Sequence, residues 1–239
     1  MKLHPPLFRF PLRRPGRRPW WIVLLPGLGL LLATPVVAGD LAGTVRIVSD
    51  APAPMQSSLD PYAGTLNSIG RSAEPTPRAT TPRDVVVYLA GAGTRGALAP
   101  GSRVPALKQI NQSFEPHVLG VPVGTTVEFP NMDMVYHNVF SYSKTKRFDL
   151  GYYGKGKSRR VTFDKPGIVQ VFCDIHSTMS AYIFVADTPF VTQPDEDGMY
   201  RFGGLPSGTY TLKVWHPDLG ERSLNVTVGD GSSRVDLNL

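Results

Sequence analysis

Apolar runs of four to eight residues, set off by Gly, Pro, Asn and Asp, recur along most of the chain. Leu41–Val48 (LAGTVRIV) and Asp84–Ala90 (DVVVYLA) read as the first two strands. From Pro105 the runs tighten into His117–Val121, Thr125–Phe129, Val135–Tyr142, Arg160–Phe163, Ile168–Cys173 and Ala181–Val185. Short β-rich runs separated by turn residues predict an antiparallel sandwich or barrel. After Asp187 come four more strand candidates: Met199–Phe202, Gly208–Trp215, Arg222–Val228 and Ser233–Leu239. Turn signals at Asp197-Gly198, Pro206-Ser207-Gly208 and Gly229-Asp230-Gly231 divide them. About 50 residues is small for an independent core, so this second unit either docks on the first or takes in the strand at Leu41–Val48. Ala51–Arg83 holds six Pro and no apolar period, and reads as a flexible loop or linker. No segment beyond the first 39 residues has a helical period, so the predicted class is all-β.

The N-terminus reads as an export signal. Six of the 25 basic residues precede Gly39 with no acid among them, so the remaining 19 equal the 19 acidic residues. The net charge of +6 therefore belongs to the leader and does not point to nucleic acid. The basic stretch ends at Arg18, the apolar heart is Trp20–Ala33 (WWIVLLPGLGLLLA), and Val36-Val37-Ala38 offers small-residue cleavage after Ala38. The other reading is an uncleaved membrane anchor, since the run approaches the roughly 20 residues needed to span. Pro26, Gly27, Gly29 and Pro35 favour cleavage. Both readings place the folded part outside the cytoplasm, in the periplasm or beyond, where an unpaired thiol is a liability. The chain has one Cys, so it has no internal disulfide, and Cys173 needs another purpose.

Metal binding supplies one. Cys173-Asp174-Ile175-His176-Ser177-Thr178-Met179 places a thiolate, an imidazole and a thioether on one short loop at the end of the strand VQVFC. His137 and Asn138 lie on an earlier strand, after the turn-like Pro130-Asn131-Met132-Asp133. Two His, one Cys and a weak axial Met form the ligand set of a blue copper site. Such a site suits one-electron transfer, because soft sulfur favours Cu(I) and imidazole favours Cu(II). Val139, Phe172 and Ile175 are the expected apolar shield of the loop.

The segments Pro130–Ser141 (PNMDMVYHNVFS) and Val169–Val185 (VQVFCDIHSTMSAYIFV) resemble the cupredoxins, especially the amicyanin-like ones. That resemblance covers roughly residues 105–187 and implies a Greek-key β-sandwich. It further implies that His137, Cys173, His176 and Met179 are copper ligands, with Asn138 tying the two ligand loops together. Phe148–Phe190 is similar to exported proteins labelled methylamine utilisation proteins. Asp195–Pro217 (DEDGMYRFGGLPSGTYTLKVWHP) resembles the carboxypeptidase regulatory-like, or transthyretin-like, module, a small β-sandwich without a catalytic role. The expected organisation is a signal peptide over 1–38 and N-terminal strands over 39–104, with a flexible segment at 51–83. A cupredoxin-like domain follows over 105–187 and a β module over 188–239. The expected function is non-enzymatic one-electron transfer with a redox partner protein, on one copper ion cycling between Cu(I) and Cu(II). The alternative is a periplasmic copper carrier or sensor without redox cycling. No nucleic-acid partner is expected, and a membrane only if the leader stays attached.

Other features read as structure. His117 is either a hydrogen-bonded structural residue or an extra group at the copper edge, and His216 is a strand-end residue. Gly151–Ser158 matches the phosphate-loop pattern G-x4-G-K-[ST], yet a strand and turn follow it where that motif needs a helix. Lys144, Lys146, Arg147, Lys155, Lys157, Arg159 and Arg160 read as a solvated hairpin loop, or else as a docking patch for an acidic partner. Asp195-Glu196-Asp197-Gly198 lacks the later Glu of a calcium loop and reads as a hairpin turn.

Overall fold

The computed structural model describes residues 38–48, 80–90 and 104–239. The leader up to residue 37 and the Pro-rich segment up to residue 79 lie outside the described residues. The described strands are β1 (Ala38–Arg46), β2 (Val86–Ala90), β3 (Lys108–Ile110), β4 (Ser113–Glu115), β5 (Val118–Pro122) and β6 (Thr125–Pro130). They continue with β7 (His137–Tyr142), β8 (Arg147–Tyr153), β9 (Ser158–Phe163), β10 (Gly167–Phe172), β11 (Ser180–Ala186) and β12 (Val191–Thr192). The last five are β13 (Met199–Pro206), β14 (Gly208–His216), β15 (Gly220–Val228), β16 (Ser232–Arg234) and β17 (Leu237–Asn238). The protein is all-β, with one short 3-10 turn at Pro82–Asp84 among the described residues.

The middle of the chain forms one sandwich. One sheet has the order β5-β11-β10-β7-β8, with β5 and β11 parallel and the other pairs antiparallel. The facing layer is the β6–β9 pair, extended by β3 and β4 through bridges at Ala106–Glu128 and Gln109–Asn131. Period-two burial makes this core. Thr125, Val127 and Phe129 point inward from β6, and Val169 and Val171 from β10. The same alternation sends Cys173 inward just beyond β10, where it is buried beside Val171 and Met179.

The second sandwich draws on both ends of the chain. One sheet is β13-β1-β16, with β17 also on β1; the other is β12-β2-β14-β15. Leu41 and Val45 face Val85, Val87, Leu212 and Val214 across its core. β2 is buried on both faces, because Val86 and Tyr88 turn away from that core and pack on Val118, Phe184 and Trp215 at the seam with the first sandwich. This explains the unbroken apolar run at Asp84–Ala90.

Strand β1 fits only because its glycines let neighbouring backbone close in. A Cβ on Gly43 would stand 1.7 Å from the Val235 carbonyl oxygen. Gly43→Ala should therefore cost roughly 1–3 kcal/mol as an overpacked site, read as a lower midpoint in urea.

β8 went unforeseen: Lys144–Arg160 is not one solvated loop but holds β8, which pairs with β7, and the start of β9, which pairs with β6, with a turn on either side of β8. Its burial alternates only partly, and Gly151, at φ +64°, interrupts it. β7 runs from His137 to Tyr142, about 17 Å at 3.4 Å per residue. The turn holding Lys144 and Lys146 is at its Tyr142 end, with Arg147 opposite Tyr142. The turn holding Lys155 and Lys157 is at its His137 end. The seven basic residues thus do not form one patch. Gly151–Ser158 spans the end of β8, a turn and the start of β9, without the helix a phosphate loop requires.

Candidate metal centre

Two strand ends and one loop build the site. β7 and β10 are in register only at Phe140–Phe172, so beyond that pair the strands part toward the His137 end. Asn138 bridges the gap: its Oδ1 accepts the Asp174 backbone N–H at 2.9 Å. The loop from Cys173 to Met179 closes on itself, the Cys173 N–H donating to the Met179 carbonyl at 3.2 Å and the Met179 N–H to that of His176 at 3.0 Å.

These restraints bring three donor atoms together. The Nδ1 atoms of His137 and His176 are 3.1 Å apart, and the Cys173 Sγ is 3.9 Å from each. Among the described residues this is the one group of three or more His, Cys, Asp or Glu side chains so arranged. A triangle of sides 3.1, 3.9 and 3.9 Å has a point in its plane about 2.1 Å from every corner, close to the roughly 2.0–2.3 Å at which imidazole nitrogen and thiolate bind a first-row metal. The three residues therefore fit a metal ion without rearrangement. His137 and Cys173 are buried, and His176 reaches partway to solvent. Met179 is buried with Cys173 in the core cluster, and the structure places its backbone at the closure of the loop.

Asp133 is the site residue that motif reading passed over. Its Oδ2 lies 2.8 Å from His137 Nε2, which makes Nε2 the donor and leaves the Nδ1 lone pair facing Cys173 and His176. The backbone N–H groups of Asn111 and Gln112 donate to the same carboxylate at 2.7 and 2.9 Å. Both residues have positive φ, at 53° and 54°, in the turn joining β3 to β4. Burial alone would raise the Asp133 carboxyl, but the bonds from Gln112, His137 and Asn111 outweigh it and hold it below the usual range. Asn131 anchors the loop beneath, accepting the Asp133 N–H at 2.8 Å and donating to the carbonyls of Val135 and Tyr153. The available signal was an Asn-x-Asp turn ending four residues before His137. Asp133→Ala should weaken metal binding about 10–100-fold with little change in the far-UV circular dichroism of the metal-free protein.

The remaining candidates sit elsewhere. His117 is outside the triad: its Nδ1 lies 3.1 Å from the Ser180 carbonyl and its ring meets Tyr182 edge-on. His216 is buried at the end of β14 and accepts the Asp218 N–H at Nδ1. Burial holds its imidazole below the usual range. Of the expected shield, Val139 is fully buried, but Ile175 is 48 % exposed. It lies on the solvent side of the loop, and Met132, Met134, Val135 and Tyr136 on the loop before His137 are exposed with it.

No family model matches the sequence, and no curated relative matches it. Among solved structures, part of the chain is similar to a copper-containing nitrite reductase from Thermus scotoductus SA-01. The identity is 31 % over 38 % of this chain and 25 % of that one, with a TM-score of 0.34. The chain thus spans a quarter of that reductase's length. A purple cupredoxin from Nitrosopumilus maritimus is 28 % identical over 32 % of this chain and 84 % of its own, with a TM-score of 0.29. A variant of amicyanin in its Cu(I) state is 19 % identical over 42 % of this chain and 98 % of its own, with a TM-score of 0.34.

Proposed function

We propose that the chain is an exported cupredoxin-type protein that carries single electrons on one type 1 copper ion. The observation that carries this reading is the compact seat formed by His137 Nδ1, His176 Nδ1 and Cys173 Sγ, 3.1, 3.9 and 3.9 Å from one another. A His2Cys trigonal set with a weak axial Met is the donor set of a blue copper centre, and Met179 would be that axial group. Copper bound there would supply a Cu(I)/Cu(II) couple.

The chain's own residues would hold the seat still. Asp133 fixes the His137 ring and its tautomer, and Asn138 ties the Cys173 loop to β7. Because His137 and Cys173 are buried in a packed sandwich, little of the site can shift when its charge changes. His176 is the half-buried member, so its outer edge would be the contact point for a redox protein. Met132, Met134, Val135, Tyr136 and Ile175 would form the apolar collar around that contact.

The leader pattern supports export. The likeness of Phe148–Phe190 to methylamine utilisation proteins supports amine oxidation as the setting. The test is titration of the protein with Cu(II) while recording visible absorption. We expect an intense thiolate-to-copper band that saturates at one equivalent. A folded protein with no such band would overturn the reading.

A further inference from the structure

A groove of about 500 Å³ lies on the seam between the two sandwiches, within the size range of small-molecule sites. Three rings in series line it. Tyr88 on β2 and Phe184 on β11 have centroids 5.0 Å apart, and Phe184 and Trp215 on β14 are 5.1 Å apart. Ile168, near the start of β10, adds an exposed apolar side chain to the lining. The groove meets β10 beside Gly167, about 20 Å along the strand from Cys173. It is therefore separate from the candidate metal centre.

The charged side chains that line it are both carboxylates, Asp187 and Glu221. Both act on the Tyr88 phenol. Tyr88 donates its Oη–H to Glu221 Oε2. Burial holds the phenol above its usual range, and the charges of Glu221 and then Asp187 push the same way. Burial alone would raise the Glu221 carboxyl, but the bonds from Lys213 and Tyr88 hold it below the usual range. Asp187 is exposed and is in no ion pair among the described residues. Lys165 precedes Pro166 of the lining but does not itself line the groove. Lys213 shows what this corner attracts. Its ammonium is 2.8 Å from Glu221 Oε1 and 5.8 Å from the centroid of the Tyr88 ring. A carboxylate beside an aromatic face seats a cation, because the anion and the ring quadrupole attract the same charge.

We propose that this groove binds an organic ammonium ion with an apolar body, its charge met by Asp187 and Glu221 and its body laid along Tyr88, Phe184 and Trp215. The ligand class follows from the two kinds of lining together. An anion would meet two carboxylates and no cation of the lining. A neutral apolar molecule would gain nothing from Asp187, and a bare metal ion nothing from the rings. Phe184 belongs to the first sandwich and Trp215 to the second, so a bound ligand would also tie the two together. Binding would form no covalent bond and need no copper, so the inference stands apart from the electron-carrier reading.

The test uses the metal-free full chain carrying Trp20→Phe and Trp21→Phe, which leaves Trp215 as the sole tryptophan. Benzylammonium chloride is titrated in while Trp215 emission is recorded, with benzyl alcohol as the neutral probe of similar shape. We expect a saturable change with benzylammonium, and binding of benzyl alcohol weaker by about tenfold or more. Asp187→Asn and Glu221→Gln should each weaken benzylammonium binding by about tenfold. Asp187 is exposed and outside any ion pair, so its variant should keep the thermal midpoint of the parent chain and separate lost binding from lost fold. No saturable change, or equal binding of the two probes, overturns the proposal. Undiminished benzylammonium binding in both carboxylate variants overturns it as well.

Discussion

Cys173→Ser is expected to abolish high-affinity Cu(I) binding while leaving the metal-free protein folded. The thiol is the only soft anionic donor in the triad, and Cu(I) selects soft sulfur over a hydroxyl. The loss should exceed the roughly 10–100-fold that removal of an outer carboxylate costs. Competition with a Cu(I) chelator would measure it. Ser is close to Cys in shape, and its hydroxyl would sit between two imidazole nitrogens able to bond it. The thermal midpoint without metal should therefore change little. Equal Cu(I) affinity in the variant and the wild type would remove Cys173 from the site.

Phe129→Ala is expected to have the largest effect on stability. Phe129 is fully buried on β6, packed against Phe148 within the core of the first sandwich. Its carbonyl also accepts Tyr153 Oη at 2.9 Å and Gln109 Nε2 at 3.3 Å. Removing the ring should cost about 3–5 kcal/mol through lost transfer energy and the cavity left behind. A domain typically has about 5–15 kcal/mol in all, so the variant should melt much earlier. Its site should loosen too, since β6 leads directly through Asn131 into the loop that carries Asp133 and His137. A loss under about 1 kcal/mol in urea would mean that the site collapses and repacks easily.

Much of this was legible in the sequence because it is local. Val169, Val171 and Cys173 share one face by simple alternation, so a strand reading of VQVFC already turned the thiol toward the core. The same holds for β6, where Thr125, Val127 and Phe129 alternate with half-exposed residues. Asn138 beside His137 and the tight Cys173–Met179 loop were also visible as short motifs. The rest depends on partners far apart in sequence. Leu41 pairs with Phe202, one of the two placements the small size of the second unit allows, whereas the pairing of Val87 with Val214 shows in no local pattern. β3 and β4 were hidden for another reason. They are three residues each, and the turn between them is Asn-Gln rather than the Asn-Gly or Asp-Gly that usually marks two positive φ angles. That turn supplies the N–H groups that hold Asp133, so missing the hairpin meant missing the carboxylate's role.

The central claim is that His137, His176 and Cys173 together hold one copper ion. X-ray absorption at the copper edge of the loaded protein tests it most directly, because it counts the atoms bound to the metal and identifies their elements. The account predicts one short copper–sulfur bond and two copper–imidazole nitrogen bonds, with the sulfur bond lost in Cys173→Ser. Copper bound only by nitrogen and oxygen, with no short sulfur bond in the wild type, would contradict it.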